Sequence, residues 1–516
     1  MFKPIVKPSV ISPGPRALAN RVIPALLGAA AVIAGCSDDG TQAITPDASV
    51  APVALTACEG LADLPTAQCG SITVPLDRDH LAAGTTVVAF VLVPRTDQTR
   101  PSLGTIVTNP GGPGDSTTNL AGALYAQALA PLLDRRDLLL IDPRGVGRSS
   151  PISCPALADP AQVFLPLAQQ RSLIGRCGNQ LGDEIRYHGS PAIADDFDDV
   201  RAALGIDQLD LLGDSYGTVL MATYVQRHPA HVRSVVLSGP YSVNIPSTGA
   251  VAASAFRRAV GLVCERTAAC AGDTVLADLA ALATQLRNTP VVMDVQSGGT
   301  TYSVTLDEWQ LAGTVARIYQ GQPDQPKQLA LVQAAAAART GDLDPVRELV
   351  RNHLLDTVGN YNLGSTLFSE TLQWATTCHE SPPLDFQLSE SLADRKLDYD
   401  KMLANLNPSD FAPFSPTAWI TRASDDSGGC LEWPDDPTAK TPFPPGTLLA
   451  DVPALVLAGD LDANTPRGSG REAAAQFPRA TFVEVAGAGH TPTETAAGLS
   501  LVLEFLAQPR TNVAPR

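Results

Sequence analysis

Leu209-Asp210-Leu211-Leu212-Gly213-Asp214-Ser215-Tyr216-Gly217-Thr218 is the stretch whose reading decides the fold. Its first four residues form an apolar, β-rich run that predicts a strand, and residues 218–227 beyond it carry a helical pattern. Between them, Gly-x-Ser-x-Gly sits on a sharp strand-to-helix turn. Small residues are needed on either side of the serine because a side chain there would collide with neighbouring backbone. Such a turn presents a strained serine beyond a strand end, and the helix N-terminus behind it stabilises negative charge developing nearby. The bare pattern is common by chance; the strand before it and the helix after it make Ser215 the candidate nucleophile.

Outward from this turn, apolar runs alternate with helical patterns in two separated blocks. Residues 85–93, 104–108, 137–141, 209–212 and 234–237 make the first, and 454–458 with 481–485 make the second. Runs such as Leu138-Leu139-Leu140-Ile141 are apolar throughout, as expected of strands covered on both faces. Asp195, Asp196, Asp198 and Asp199 flank an apolar stripe of Phe197, Val200 and Leu204, which predicts a helix with acids in its first turn and Gly205 as its left-handed cap. This βαβ alternation predicts an α/β domain with a mostly parallel sheet. Between 241 and 445 the pattern is helical (250–264, 274–287, 329–339, 345–355) and then Pro-rich from 407 onward. The expected organisation is a core from 56 to 240, an inserted and mainly helical cap from 241 to 445, and a second core part from 446 to 510.

A serine hydroxyl is nearly inert at neutral pH and needs a base oriented by a third group. In the α/β-hydrolase fold the chain order is serine, acid, histidine. Of seven histidines, His490 alone follows a late strand, in Val485-Ala486-Gly487-Ala488-Gly489-His490, whose glycines let the loop fold back. The acid is expected after residues 454–458, where Asp462 lies beyond the strand end and Asp460 is better placed to brace the turn. An oxyanion needs fixed N–H donors. Asn109-Pro110-Gly111-Gly112-Pro113-Gly114 follows the strand at 104–108, so one donor is expected at Gly112 (Gly111 being the alternative) and the other at Tyr216.

The 516 residues are 44% hydrophobic, 17% charged and 5% aromatic, which places the chain in the globular class. A net charge of −17 would be repelled by phosphate backbones and argues against a nucleic-acid partner. Lys3, Lys7, Arg16 and Arg21 precede an apolar stretch over 22–34, too short to span a bilayer and suited to a signal-peptide core. It runs into Ile33-Ala34-Gly35-Cys36, which resembles a bacterial lipobox. That resemblance implies cleavage after residue 35, lipidation of Cys36, a tether over 36–55, and an exported protein anchored to the cell or outer membrane, facing the periplasm or exterior. Eight further cysteines suit an oxidising compartment. They allow roughly a hundred pairings; pairing neighbours along the chain joins Cys58 with Cys69, Cys154 with Cys177, Cys264 with Cys270, and Cys378 with Cys430. No Cys-x-x-Cys or histidine cluster accompanies them, so no metal is expected, and the chemistry calls for no cofactor.

Taken together, several segments resemble a known family. Asn109–Gly114 is similar to the His-Gly-Gly-Pro-Gly loop of proline iminopeptidases, with Asn-Pro in place of His. Asp142-Pro143-Arg144-Gly145-Val146-Gly147-Arg148-Ser149 resembles their Asp-Gln-Arg-Gly-x-Gly-x-Ser segment. Gly213–Thr218, Cys378-His379-Glu380 and Cys430-Leu431-Glu432-Trp433-Pro434 resemble the tripeptidyl-aminopeptidase branch. The likeness runs over about 56–508. It implies an α/β-hydrolase sheet with a helical cap and a serine exopeptidase that removes di- or tripeptides from free N-termini. Such an enzyme must hold an α-ammonium group, for which Glu380 is the candidate, with Asp425 and Asp426 behind it; Asp142 and Arg144 read as loop scaffolding. A carboxylesterase with the same triad is the alternative, and an inactive envelope binding module a third reading. Chemistries that use an aspartate nucleophile are disfavoured by serine at 215.

Overall fold

The protein is described from a computed structural model covering residues 53–243, 249–380, 386–421 and 426–508. The leader, Cys36 and most of the tether lie outside the described residues. Eleven strands are present among the described residues: β1 (Thr56–Ala57), β2 (Gln68–Pro75), β3 (Thr85–Val93), β4 (Thr105–Asn109), β5 (Asp137–Ile141), β6 (Leu209–Asp214), β7 (Val232–Ser238), β8 (Val291–Ser297), β9 (Thr300–Leu306), β10 (Pro453–Gly459) and β11 (Arg479–Val485). Nine make one sheet in the order β1-β2-β3-β5-β4-β6-β7-β10-β11, and β8 and β9 form a separate hairpin. From β5 to β11 every pairing is parallel; β1, β2 and β3 run antiparallel at one edge.

Side-chain alternation along the strands builds two cores, one on each face. Val107, Leu139, Leu211, Val235 and Val456 face Phe197 and Val200 of α3 (Ser190–Ala203) and Leu220 and Met221 of α4 (Gly217–Arg227). Ile106, Leu138, Leu140, Leu212, Val236 and Leu457 point the other way, towards Tyr125 and Leu129 of α1 (Gly122–Leu129) and Val502 and Leu506 of α12 (Ala496–Ala507). Helix α2 (Leu167–Leu181) belongs to an excursion after β5. The continuous apolar reading of β5 is explained by this double cover.

Strands β7 and β10 pair directly, Val235 beside Ala454 through Ser238 beside Leu457, although more than two hundred residues separate them in sequence. The intervening segment contains α5 (Ala250–Thr267), α6 (Gly272–Asn288), α7 (Glu308–Gln320), α8 (Gln325–Ala338), α9 (Asp344–Tyr361), α10 (Glu370–Glu380) and α11 (Leu392–Asn405). Much of it packs around a core of its own, with Phe256, Leu279, Leu282, Val315, Leu331 and Val350 fully buried. The β8–β9 hairpin within it breaks the helical pattern. Its strands have one buried face only, Met293 and Val295 against Val304 and Leu306, too short a signal to separate from loop. A fourth cluster joins Leu173, Ile174 and Cys177 of α2 to Ala375, Cys378, Leu431 and Trp433.

Two expectations are corrected. The four aspartates of α3 lie along its middle, and its first turn has no acid. They are held by arginine and histidine side chains instead: Asp196 by Arg144 and Arg78, Asp195 by Arg227 and His228, Asp198 by Arg201 and His231, and Asp199 by Arg78. Disulfides join Cys58 to Cys69, Cys264 to Cys270 and Cys378 to Cys430, but Cys154 and Cys177 remain buried thiols. Cys154 Sγ faces Gln180 Oε1 at 3.5 Å and Cys177 Sγ faces Thr371 Oγ1 at 3.9 Å, while burial pushes the Cys177 thiol above its usual range.

A thiol titration of protein starting at residue 51 checks this arrangement. Two thiols should react after denaturation without reductant; a count of zero would mean that Cys154 and Cys177 are joined. Removing the Cys378–Cys430 bridge, which closes a separation of 52 residues, should cost about 4 kcal/mol of unfolding free energy in a urea titration.

Candidate active site

The candidate site lies along the edge of the sheet where parallel strands end side by side. Asn109 at the end of β4 pairs with Gly213 of β6, Asp214 pairs with Ser238 of β7, and Gly459 of β10 pairs with Val485 of β11. Loops leaving five strands therefore emerge on one edge, the usual location of ligand sites in open α/β sheets.

At the β6–α4 turn, Ser215 has φ +55°, a left-handed conformation that a side chain adopts only under constraint. The constraint is visible. Ser215 N–H donates to Ser238 O at 3.0 Å, and the Thr218 hydroxyl donates to Ser215 O at 2.6 Å. A Cβ on Gly213 would strike the Gly217 carbonyl, and one on Gly217 would strike the Asn109 carbonyl, so neither position admits a side chain.

His490 Nε2 lies 2.8 Å from Ser215 Oγ. Its other ring nitrogen, Nδ1, is 2.9 Å from Thr465 Oγ1 and 3.3 Å from Asp462 Oδ2. The single hydroxyl proton of Thr465 goes to Asp462 Oδ2 at 2.8 Å, so Thr465 accepts from the imidazole and passes the carboxylate's pull on to it. This network assigns the Nδ1–H tautomer, which leaves Nε2 free to take the serine proton. The Asp462 side chain is fully buried, and its Oδ1 accepts from the N–H groups of Asn464 and Thr465 at 2.7 and 3.0 Å. Asp460 turns away, ion-paired with Arg266 and accepting from Gly487 N–H at 2.8 Å. Thr465 was not singled out in the sequence, where a threonine three residues after an aspartate carries no signal.

The Gly-rich loop after β4 passes directly over the serine. Gly111 has φ +108°, and a Cβ on it would come within 2.9 Å of Tyr216 N and 3.0 Å of Ser215 Cβ. Its N–H is taken by Asn109 Oδ1 at 3.1 Å. Among the described residues no acceptor engages the N–H of Gly112 or of Tyr216, which leaves these two as the donors available to an oxyanion. Asp142 and Arg144 lie behind the loop. Asp142 accepts from the hydroxyls of Ser116 and Thr118 and from the N–H groups of Thr118 and Arg148, and Arg144 clamps Asp196 through two nitrogens at 2.6 and 2.7 Å.

Glu380 is placed otherwise than its candidacy requires. It is 5% exposed, and both of its oxygens are filled by Ser190: the backbone N–H on Oε1 and the hydroxyl on Oε2 at 2.6 Å. Asp425 and the Asp426 side chain lie outside the described residues. Two acids that sequence reading missed, Asp115 and Glu370, lie at and beside the Gly-rich loop, both half-buried. Ser116 N–H donates to Leu367 O and Ser369 N–H to Gly114 O, each at 2.9 Å, which zips the Gly-rich loop to the start of α10 and sets the two acids together. No hydrogen bond or ion pair to another described residue satisfies either. Burial raises Asp115 to about 6; burial and then the Asp115 charge raise Glu370 to about 8. An acid directly after the Gly-rich loop was the one legible sign of this pair.

Two family models match the chain, one described as alpha/beta hydrolase fold over residues 104–335 and one as TAP-like protein over residues 415–514. The first covers Ser215, the second Asp462 and His490. The chain is 33% identical over 193 residues to the serine protease Hip1 of Mycobacterium tuberculosis, covering 34% of this chain and 36% of that one. It is 34% identical over 188 residues to the tripeptidyl aminopeptidase of Streptomyces coelicolor, covering 33% and 34%. Carboxylesterase B of M. tuberculosis is 31% identical over 234 residues, covering 41% and 44%. The matched stretch thus spans about a third of the length of the first two relatives. The solved proline iminopeptidase of Mycobacterium smegmatis aligns over 84% of this chain and 97% of its own at 17% identity, with a TM-score of 0.34.

A fluorophosphonate probe should label the protein at one site and leave a Ser215→Ala variant unlabelled. Asp462→Asn should slow labelling by roughly 10⁴-fold because it reverses the imidazole tautomer, whereas Asp460→Asn should stay within about tenfold of the parent. Equal losses in the two aspartate variants would contradict the assignment of the buried carboxylate.

Proposed function

We propose that this chain, which has the α/β-hydrolase fold, is a serine exopeptidase releasing short peptides, di- or tripeptides, from free N-termini. The observation that carries the reading is the 2.8 Å approach of His490 Nε2 to a serine held in the left-handed conformation. Ser215 Oγ attacks the scissile carbonyl while its proton passes to His490 Nε2. The imidazolium is stabilised through Thr465 and Asp462, and the carbonyl oxygen, now negative, accepts from the N–H groups of Gly112 and Tyr216. Collapse breaks the C–N bond, His490 returns the proton to the leaving amine, and the released peptide's acyl group remains on Ser215. Water, deprotonated by His490, then attacks the ester and restores the serine. No step calls for a metal or an organic cofactor.

The free N-terminus of the substrate meets Asp115 and Glu370. Two facing carboxylates without a cation are costly when both are ionised, and an α-ammonium group between them removes that cost. An exopeptidase cutting near the N-terminus needs the ammonium held on the acyl side of the scissile bond, and the place of the two acids on and beside the Gly-rich loop supports that reading. The relatives named serine protease and tripeptidyl aminopeptidase favour peptides; the one named carboxylesterase favours a second reading, ester hydrolysis by the same triad. Three disulfides suit an exported enzyme, and lipidation at Cys36 would hold it to a membrane surface.

Turnover of an unblocked tripeptide anilide, its N-acetylated form and a short-chain nitrophenyl ester separates the readings. Acetylation should raise KM by at least about tenfold, and Asp115→Asn should do the same for the unblocked substrate only; cleavage indifferent to acetylation would remove the exopeptidase assignment. Both acids have raised values, so they are protonated at low pH and gain charge as pH rises through about 6 and then about 8. An α-amino group loses its proton near pH ~8, so affinity for the unblocked peptide should peak between about pH 6 and 8 while the KM of the ester shows no such peak. For the anchor, Cys36→Ser should move the protein from the membrane to the soluble fraction; retention on the membrane would count against lipidation.

A further inference from the structure

The chemistry above leaves a buried carboxylate without a task. Glu380 ends α10, and its two oxygens meet the first residue of α3. Ser190 N–H donates to Oε1 and Ser190 Oγ–H donates to Oε2 at 2.6 Å. With its one proton committed, the Ser190 oxygen can only accept in its 2.5 Å contact with the Tyr216 hydroxyl. The chain of donors therefore runs one way, from Tyr216 to Ser190 to Glu380. Gly189 makes room for it, since a Cβ there would fall 2.7 Å from Glu380 Oε1. The N-terminus of α3 favours negative charge at this point.

Resting on the reading of Tyr216 as an oxyanion donor, we infer that Glu380 is a positioning residue: through Ser190 it anchors the Tyr216 side chain and thereby aims the Tyr216 N–H at the substrate oxygen. The anchor matters because the neighbours cannot supply one. Ser215 must keep its hydroxyl free to react, and Gly217 has no side chain. Thr218 grips the carbonyl of the peptide unit that carries this N–H, from Oγ1 at 2.6 Å, and the tyrosine ring holds the other end.

The cost of the charge argues for function over stability. Burial raises Glu380 to about 7 despite the pull of Ser190 and of His379. A carboxyl raised in the folded state loses stability as pH climbs from its ordinary value through about 7, and that loss is complete above it. Among the described residues no ion pair holds it. His379 gives its Nδ1 side to Asp436 at 2.7 Å, burial keeps His188 neutral at about 3, and Arg144 is clamped on Asp196. A neutral side chain of the same shape would pack as well. Glutamine, however, would donate from Nε2 to Ser190 Oγ and turn the serine proton towards Tyr216, reversing the chain.

The test compares the full-length parent with Glu380→Gln, Tyr216→Phe and the double variant at pH 8, on the short-chain nitrophenyl ester and the unblocked tripeptide anilide, with Tm measured alongside. Expected is a fall in kcat of about tenfold or more for both substrates, short of the 10²–10³ for removing a donor outright. KM should stay within about twofold, the Tm of Glu380→Gln should be no lower than the parent's, and the double variant should be no slower than the worse single one. Unchanged kcat, a KM rise confined to the unblocked peptide, additive losses, or a Tm that falls together with kcat would each overturn the inference. A parent that hydrolyses neither substrate and takes no fluorophosphonate would sink the serine-hydrolase reading itself, which separates that failure from this one.

Discussion

Everything at the candidate site depends on the parallel pairing of β7 with β10 across the inserted segment. The nucleophile turn follows β6, the acid follows β10 and the histidine follows β11. Were β10 to pair elsewhere, Asp462 and His490 would leave the edge that carries Ser215. Backbone hydrogen bonds between buried strands set this register, and continuous apolar cores on both faces enforce it, because a slip of one residue would exchange the faces of every side chain. The insertion can be long because its ends are fixed by adjacent strands and much of it packs on a core of its own. Loop closure over such a length adds little further cost.

Within that frame, the site itself carries both strain and buried charge. Ser215 is held left-handed, glycines at 111, 213 and 217 admit contacts that no Cβ would, and Glu380 carries a charge that burial opposes. The equally buried Arg144, by contrast, is compensated. Arg144 meets Asp196 through two nitrogens and also donates to three carbonyl oxygens. Breaking such a pair is costly even though forming it adds little to stability. It ties the excursion after β5 to α3 and so steadies the ground behind the Gly-rich loop.

The segment from 365 to 380 ties these parts together. Its start pairs with the Gly-rich loop, its helix carries Glu370 at the beginning and Glu380 at the end, and Cys378 fastens it to Cys430. Each acid faces a different environment. Glu370 is half-buried beside Asp115, while Glu380 is sealed against Ser190. One short helix therefore touches both the substrate side of the oxyanion donors and the side that holds them.

Local pattern was enough for the parallel strands, the nucleophile turn and the order serine, acid, histidine, because period, glycine spacing and strand-to-helix succession are properties of adjacent residues. It also found α5, α6, α8 and α9 of the insertion, with ends displaced by up to six residues, but not α7, α10 or α11, nor the β8–β9 hairpin or β2, whose half-exposed strands give a weak alternation. Short-range pattern could not reveal which acid faces which cation, and so the aspartates of α3 and the role of Glu380 were misread. Nor could it find Thr465, which matters only because the β10 and β11 loops meet, or the pairing of Asp115 with Glu370 across 255 positions of chain. Side-chain partners at that range are decided by packing and desolvation, which act only once the sheet has closed.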